Sequence, residues 1–447
     1  MHWTAKYIGR LYLTTFFYVC FGGCIVMYIV SFFYDPFETV PNILIFVFTA
    51  LVLIDYIFLF FVGSRMEAKR LIADRLSNGD DNKVELQIKN TMNFAVNVEV
   101  IDELPMQFQK RDWSLHYKFG PEEQKNIVYN LRPVERGEYH FGRIILYVTS
   151  QLGLVKCRHN IEAEDMVPVY PSYMQMRKYE LLSRTTMQTE QGTKRMRKIG
   201  HSMEFEQIKD YVRGDDVRTI NWKATARKGS LMVNNYTDEK SQQVYCILDK
   251  GRLMKMPFNG LTLLDYAINS TLILANVCLQ RQDRVGIITF ANKMGSMLAA
   301  DRKPIQRENV LQVLYNQQTA FLESDYEMLY MQIRHRVKQR SLLVLFTNFE
   351  SMSGLQRQLG YLRSIAKHHL LMVVFFENTE LHQLTKLNSE NLEELYVKTI
   401  AEKFEFEKRM IVKELKKHGI LSILTTPEAL TINTVNKYLE LKARQAI

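Results

Sequence analysis

Apolar and polar positions follow three different regimes along the chain, and each predicts a different architecture. From Leu11 to Tyr34 the stretch LYLTTFFYVCFGGCIVMYIVSFFY is almost unbroken in apolar character. After the short loop DPFETVPN, a second run, ILIFVFTALVLIDYIFLFFVG, extends from Ile43 to Gly63. Each has the length of about 20 residues at which an α-helix crosses the hydrocarbon core of a bilayer. A transmembrane helical hairpin is predicted within residues 1–66. The first run is too long for the apolar segment of a signal peptide, and no small-residue cleavage site precedes the second. Beyond the turn cluster Asn78-Gly79-Asp80-Asp81 the period changes to two. KVELQIKN, FAVNVEVID, QKNIVYNLRP, GEYHFGRIILYVTS and LGLVKCRHNIEA alternate apolar and polar positions between Pro and Gly turns. Half-buried strands at this spacing predict a small antiparallel β-sandwich over residues 80–172. Residues 173–199 lose all periodicity and are rich in Lys and Arg, as in a solvated basic linker.

In the third regime, residues 200–447, near-continuous apolar strands alternate with helical periods. Val244–Asp249, Arg284–Phe290, Ser341–Thr347, Leu370–Phe376 and Ile420–Leu424 read as strands, and Leu261–Leu279 carries a helical apolar stripe. Further helices are predicted near Gln306–Tyr315, Tyr326–Val337, Gly354–Lys367, Glu390–His418 and Glu428–Arg444. This alternation is the pattern of a doubly wound, mostly parallel sheet. The predicted class is therefore α/β: two N-terminal transmembrane helices, a small antiparallel β-sandwich, then the doubly wound domain. Ligands of such sheets sit at the carboxyl ends of the strands, here Asp249 and Thr347-Asn348. The chain contains no GxGxxG, GxxxxGK[ST] or GxSxG, so nucleotide binding and α/β-hydrolase chemistry have no support.

Charge changes the picture in two ways. The 447 residues carry 58 Lys+Arg against 48 Asp+Glu, net +10, spread along the chain; this favours a surface beside an anionic membrane over nucleic-acid binding. Around the hairpin, Lys6 and Arg10 precede the first run and Arg65, Lys69, Arg70 and Arg75 follow the second, whereas the connecting loop holds only Asp35 and Glu38. By the positive-inside rule both termini are cytoplasmic. Asp55, within the second run, is expected to bond a hydroxyl of the first (Thr14, Thr15 or Tyr18) or to make an oligomer contact. The five cysteines form no CxxC pair and read as small buried hydrophobes. His140 and His159 read as single, exposed residues.

Chemistry concentrates in Gly200–Asn234, GHSMEFEQIKDYVRGDDVRTINWKATARKGSLMVN. Glu204, Glu206, Asp210, Asp215, Asp216, Arg218, Lys223 and Arg227 alternate in sign around Tyr211, Gly214, Asn221 and Trp222. Three readings follow. The stretch is a structural network, with Glu206–Asp210 starting a turn or short helix, Asp215, Asp216, Arg218 and Arg227 pairing off, and Tyr211 and Trp222 covering them. Or it is a docking surface, since Arg, Trp and Tyr dominate interface hot spots. Or Glu206, Asp215, Asp216 and Lys223 serve a metal-dependent hydrolase.

EFEQIKDYVRGDDVRTINWKATARKGSLMV resembles the signature of the bacterial domain-of-unknown-function-58 family. The wider order agrees: two membrane helices, RGEYHFG followed by SQLGLV in the β-module, then the signature leading into a von Willebrand factor A-like domain. The resemblance implies a membrane-anchored bacterial protein and, as partner, a MoxR-type AAA+ ATPase; it supplies no activity. A-like domains commonly hold a divalent metal such as Mg²⁺ on an Asp-x-Ser-x-Ser loop, a Thr and a later Asp. On that pattern Asp249 stands in the first position, Gly251 and Leu253 replace the serines, Asn348 replaces the later Asp, and Thr319 or Ser324 stands for the threonine. Such a loop lacks the oxygens a hard cation requires. The expectation is a non-enzymatic, membrane-anchored scaffold or adaptor with no metal, cofactor or small-molecule substrate; the alternative is a hydrolase using the signature acids.

Overall fold

The computed structural model describes residues 9–33, 39–62, 66–110, 113–172, 203–238, 241–379, 381 and 391–444. The basic stretch 173–199 lies outside the described residues, as do Lys6, Arg65 and His201. The chain divides into two compact units, Met1–Tyr170 and Pro171–Ile447.

The first unit opens with strand β1 (Leu11–Leu13), followed by helix α1 (Thr15–Phe33) and helix α2 (Val40–Ile57), which continues as a π-helical turn over Phe58–Val62. Both helices are long and apolar enough to cross a membrane. The first apolar run is thus shorter as a helix than expected, because Leu11–Leu13 pairs antiparallel with Val155–Cys157. Thr14 makes the break. Its hydroxyl donates to the carbonyls of Gly153 (2.6 Å) and Leu154 (3.2 Å) and accepts from the N–H of Phe17 (3.1 Å), capping α1.

Ten more strands follow: β2 (Met66–Leu71), β3 (Leu76–Ser77), β4 (Asn82–Asn90), β5 (Val96–Asp102), β6 (Leu115–Phe119), β7 (Gln124–Leu131), β8 (Gly137–Phe141), β9 (Ile144–Thr149), β10 (Val155–Ile161) and β11 (Asp165–Tyr170). They form a five-stranded sheet β1-β10-β9-β5-β6 and two three-stranded sheets, β2-β4-β7 and β3-β11-β8, antiparallel except for the short β3–β11 pair. Alternation sets the inner faces: every second residue of β4, from Asn82 to Asn90, is buried. Leu86, Ile88 and Ile127 of one sheet pack on Val96, Val98, Ile144 and Leu146 of another. After the helices the strands resume at Met66, earlier than residue 80, because β2 pairs with β4 along Met66–Leu71.

Three charged or polar residues differ from the sequence reading. Arg70 is not a membrane-flanking charge: on β2 it is buried in an ion pair with Asp102, and it also donates to the carbonyls of Ala163 and Gly142. His159 is buried, 9% exposed, with Nε2 lacking a hydrogen-bond partner, while His140 is exposed. Asp55 does not bond Thr14, Thr15 or Tyr18. Its carboxylate accepts from Ser150 Oγ and from the backbone N–H groups of Leu154 (3.0 Å) and Val155 (2.9 Å), in the SQLGLV turn. An acid on an apolar helix is tolerated there because the turn supplies three donors.

The second unit begins with the hairpin β12 (Met203–Asp210) and β13 (Met232–Asp238), joined through helix α3 (Trp222–Lys228). The main sheet follows, with strands β14 (Gln243–Asp249), β17 (Arg284–Phe290), β18 (Met294–Asp301), β19 (Leu342–Phe346), β20 (Leu370–Phe376) and β21 (Leu421–Thr425); a small ribbon, β15 (Pro257–Phe258) and β16 (Leu261–Thr262), lies between β14 and the next helix. The sheet order is β18-β17-β14-β19-β20-β21, parallel throughout except for edge strand β18. Helices α4 (Leu263–Gln280), α5 (Gln306–Tyr315), α6 (Tyr326–Arg336), α7 (Met352–Ala366), α8 (Leu392–Lys417) and α9 (Leu430–Ala443) cover it. Helix α4 is buried nearly all round, and a capping box between Thr262 and Asp265 fixes its start. Ile247, Leu345 and Val373 of the sheet pack with Leu329, Leu362 and Ile411 of α6, α7 and α8. All five cysteines are free thiols, and Cys157, Cys246 and Cys278 are buried in the cores.

Candidate functional site

The signature occupies the β12–β13 hairpin and its connection. Residues 206–210 belong to strand β12, not to a turn or short helix as expected from their polarity; pairing with Met232–Asn235 across the hairpin overrides local preference. The side chains of Glu204 and Glu206 lie outside the described part. The chain then turns tightly: the N–H of Asp215 donates to the Val212 carbonyl (2.9 Å), the N–H of Val212 donates to Asp215 Oδ2 (3.1 Å), and Gly214 takes φ 117°, open only to glycine without strain. Asp216 accepts from the Arg218 N–H (3.0 Å), closing a 3-10 turn over Val217–Thr219. Asn221 caps α3 through the Ala224 N–H (3.0 Å) and donates to Asn234 (2.9 Å) on β13. Tyr211 and Asn221 tie back through their N–H groups to the carbonyls of Leu231 and Met232, both at 2.8 Å.

The ion pairs are not those expected. Asp215 binds Lys209 (3.0 Å) and Asp210 binds Lys228 (2.8 Å); among the described residues Arg218 and Arg227 have no ion-pair partner. The Lys228 hydrogen bond holds Asp210 below its ordinary carboxylate range, and Lys209, with the Val212 N–H, does the same for Asp215. Nor does Trp222 cover a network, being 69% exposed. Asn221 caps the helix that begins at Trp222, so the indole points outward beside Lys223 and Arg227, which are also exposed. Val212 and Val217 are exposed on the preceding turns, next to Arg213 and Arg218. The segment is therefore ordered by backbone caps and short Asp turns, with its large apolar and cationic groups facing solvent. Lys223 is brought into contact with neither Asp215 nor Asp216, whose carboxylates are engaged by backbone N–H groups.

A second cluster lies at the carboxyl end of β14. Asp249 is buried, and both carboxylate oxygens are occupied: Oδ1 accepts from the Gly251 N–H (2.8 Å) and Ser324 Oγ, and Oδ2 from Thr347 Oγ1 (2.7 Å) and Tyr326 OH (3.3 Å). Burial raises the Asp249 pKa; the four donors oppose that shift. Of the two candidates for the hydroxyl facing Asp249, Ser324 is the one in contact. Thr347, at the strand end, joins it, and Tyr326 bridges to Thr347 (2.6 Å). Gly251 has a steric reason, since a Cβ there would collide with the Ser324 hydroxyl. Asn348 turns away from Asp249, its Oδ1 accepting from Lys408 Nζ of helix α8 (2.7 Å). Sequence reasoning missed Tyr326 and Lys408, whose positions depend on how α6 and α8 pack on the sheet.

Residues 207–412 match the family model described as "Protein of unknown function DUF58", which takes in most of the signature hairpin, the main sheet up to β20, and much of α8. A relative from Bacillus subtilis (strain 168), "Uncharacterized protein YeaD", is 27% identical over 122 residues, 27% of this chain and 30% of its own length. Among solved structures, the conserved hypothetical protein BatB from Bacteroides thetaiotaomicron is 12% identical and aligns over 46% of this chain and all of its own, with a TM-score of 0.30. The CARDB domain of the PF1109 protein from Pyrococcus furiosus is 20% identical and aligns over 25% of this chain and 97% of its own, with a TM-score of 0.19. What the comparisons establish is a segment, residues 207–412, similar to a family of unknown function.

Proposed function

We propose that this chain is a non-enzymatic, membrane-anchored scaffold whose second unit is a doubly wound, von Willebrand factor A-like domain that binds a protein partner, a MoxR-type AAA+ ATPase. The observation that carries the docking role is the signature surface. Trp222, Val212 and Val217 stand exposed among Arg213, Arg218, Lys223 and Arg227, on a backbone held rigid by caps. Large aromatic and Arg side chains on a pre-ordered frame bind at low entropic cost, and the cationic surround selects an acidic face. The carboxylates that a hydrolase would need, Asp215 and Asp216, are engaged in local turns.

Anchoring rests on α1 and α2. At about 1.5 Å per residue, 19 residues of α1 span close to the 30 Å hydrocarbon core. Leu59 and Phe60, beyond the end of α2, are buried among β-module residues. The positive-inside rule favours cytoplasmic termini, and the resemblance to a bacterial family makes the inner membrane the location proposed. The cluster at Asp249 is unsuited to a hard divalent cation: its oxygens are saturated, Leu253 offers none, and an ammonium occupies Asn348. The reading therefore includes no metal.

Affinity capture with the full chain in detergent micelles tests it. Recovery of a MoxR-type ATPase, lost on Trp222→Ala or Arg218→Ala with the thermal midpoint unchanged, is the expected result. Capture of no ATPase, or a copurifying hydrolytic activity abolished by Asp215→Ala, overturns the proposal.

A further inference from the structure

The carboxyl ends of β19, β20 and β21 border a half-open cavity of about 350 Å³. That volume falls at the lower end of the range for small-molecule sites, and strand carboxyl ends are where mostly parallel sheets bind ligands. Its wall is apolar, formed by Met256, Phe258, Leu263, Phe376, Phe404 and Leu424. Its polar lining includes Asn378, Thr379 and an exposed Arg409 held by Glu405, with Lys408 bonded to Asn348. An ammonium has three donors; Asn348 Oδ1 takes one, and the ring of Phe375, 5.8 Å away, gives a second, weaker contact.

The charged groups around Lys408 sort by position. Glu350 and Glu377 are exposed, so water screens them, yet both still act to keep Lys408 protonated. Glu405, one turn back on α8, is paired with Arg409. Burial outweighs the acids and brings the Lys408 pKa down to about 8. Lys408 thus keeps its charge at neutral pH with incomplete solvation, and an anion delivered to it regains what burial removed.

We propose that this cavity binds an apolar monocarboxylate, an aryl or alkyl acid whose carboxylate pairs with the Lys408 ammonium and whose body lies along Phe376, Phe404 and Leu424. Size and chemistry select the class. The apolar wall disfavours sugars and nucleotides, and the acidic rim disfavours polyanions such as phosphate esters. Lys408, half-buried and without a carboxylate partner among the described residues while Arg409 is paired with Glu405, matches one carboxylate.

The test uses the full chain in lipid nanodiscs and 4-(4-fluorophenyl)butyrate as a soluble probe, followed by ¹⁹F line broadening. The expected result is saturable binding that weakens at least tenfold in Lys408→Met and in the matching alcohol, and severalfold in Phe404→Ala. Affinity should also fall as pH rises from 7 to 9, through the Lys408 titration. Empty nanodiscs of the same lipid subtract partition into the bilayer, and a matching thermal midpoint shows that the Lys408→Met variant is folded. Should that variant fail to fold, Phe404→Ala and the alcohol comparison decide alone. Absence of binding, equal binding of acid and alcohol, or binding undiminished in the folded Lys408→Met variant overturns the proposal.

Discussion

The backbone N–H of Val155 lies 2.9 Å from Oδ2 of Asp55, one hundred residues earlier in the chain. With Leu154 and Ser150 it turns a buried carboxylate into the clasp that fixes α2 to the SQLGLV turn. Asp55→Ala leaves two backbone N–H groups without an acceptor, at about 1–3 kcal/mol for each. In micelles the full chain is therefore expected to lose protection in the Ser150–Val155 turn by hydrogen exchange. Asp55→Asn, which keeps one acceptor oxygen, should lose less. Unchanged exchange in Asp55→Ala means that the clasp contributes nothing.

A second buried carboxylate divides labour differently. Asp102 is paired with Arg70, which lies over the Phe141 ring at 5.0 Å, and it also accepts from Tyr129. Removing one partner strands the other charge in a dry core, so Arg70→Met or Asp102→Leu alone should cost about 3–5 kcal/mol. The double variant should cost less than the sum of the two. Chemical denaturation of the three variants measures this, and strict additivity would refute the coupling.

These two acids show what could and could not be read in the sequence. Periodicity located strands β14, β17, β19 and β20 within a residue or so, because a strand buried on both faces is a continuous apolar run. Asp55 stood out because an acid in an apolar run needs an explanation, but its partners lie in a turn one hundred residues away that no local pattern reports. Arg70 reads as a flanking charge for the same reason: its partner on β5 is known only once the β-sheets are assembled. In the signature, residue types were legible and pairings were not. Asp216 and Asn221 bond backbone N–H groups in preference to distant Arg side chains, since local caps form with less loss of chain entropy.

His159 gives the β-module a pH dependence. Burial, with a smaller push from Arg10, lowers its pKa to about 4. Unfolded, it titrates near 6.5, so between these values the unfolded chain binds the extra proton. The contribution is complete above about pH 6.5 and is lost as pH falls toward 4, a destabilisation of at most about 3 kcal/mol. His159→Phe should flatten that part of the stability–pH curve in denaturant melts. An unaltered slope between pH 6.5 and 4 would assign the acid sensitivity elsewhere.

At the carboxyl end of β14, Gly251 and Ser324 cannot both carry the oxygen that Asp249 receives. A Cβ at 251 meets the Ser324 hydroxyl, so Gly251→Ser should destabilise by the ~1–3 kcal/mol typical of overpacking. Ser324→Gly alone removes a donor from a buried carboxylate whose pKa burial already raises, and should push that pKa further up. Combined, the two changes place a hydroxyl on the loop and clear the space in front of it. The double variant is then expected to be more stable than Gly251→Ser, with a favourable coupling of 0.5 kcal/mol or more, about the smallest value assigned to residues in contact. Thermal melts of the four proteins close the cycle. A double variant less stable than either single one would show that the Asp249 pocket accepts its hydroxyl only from the Ser324 side.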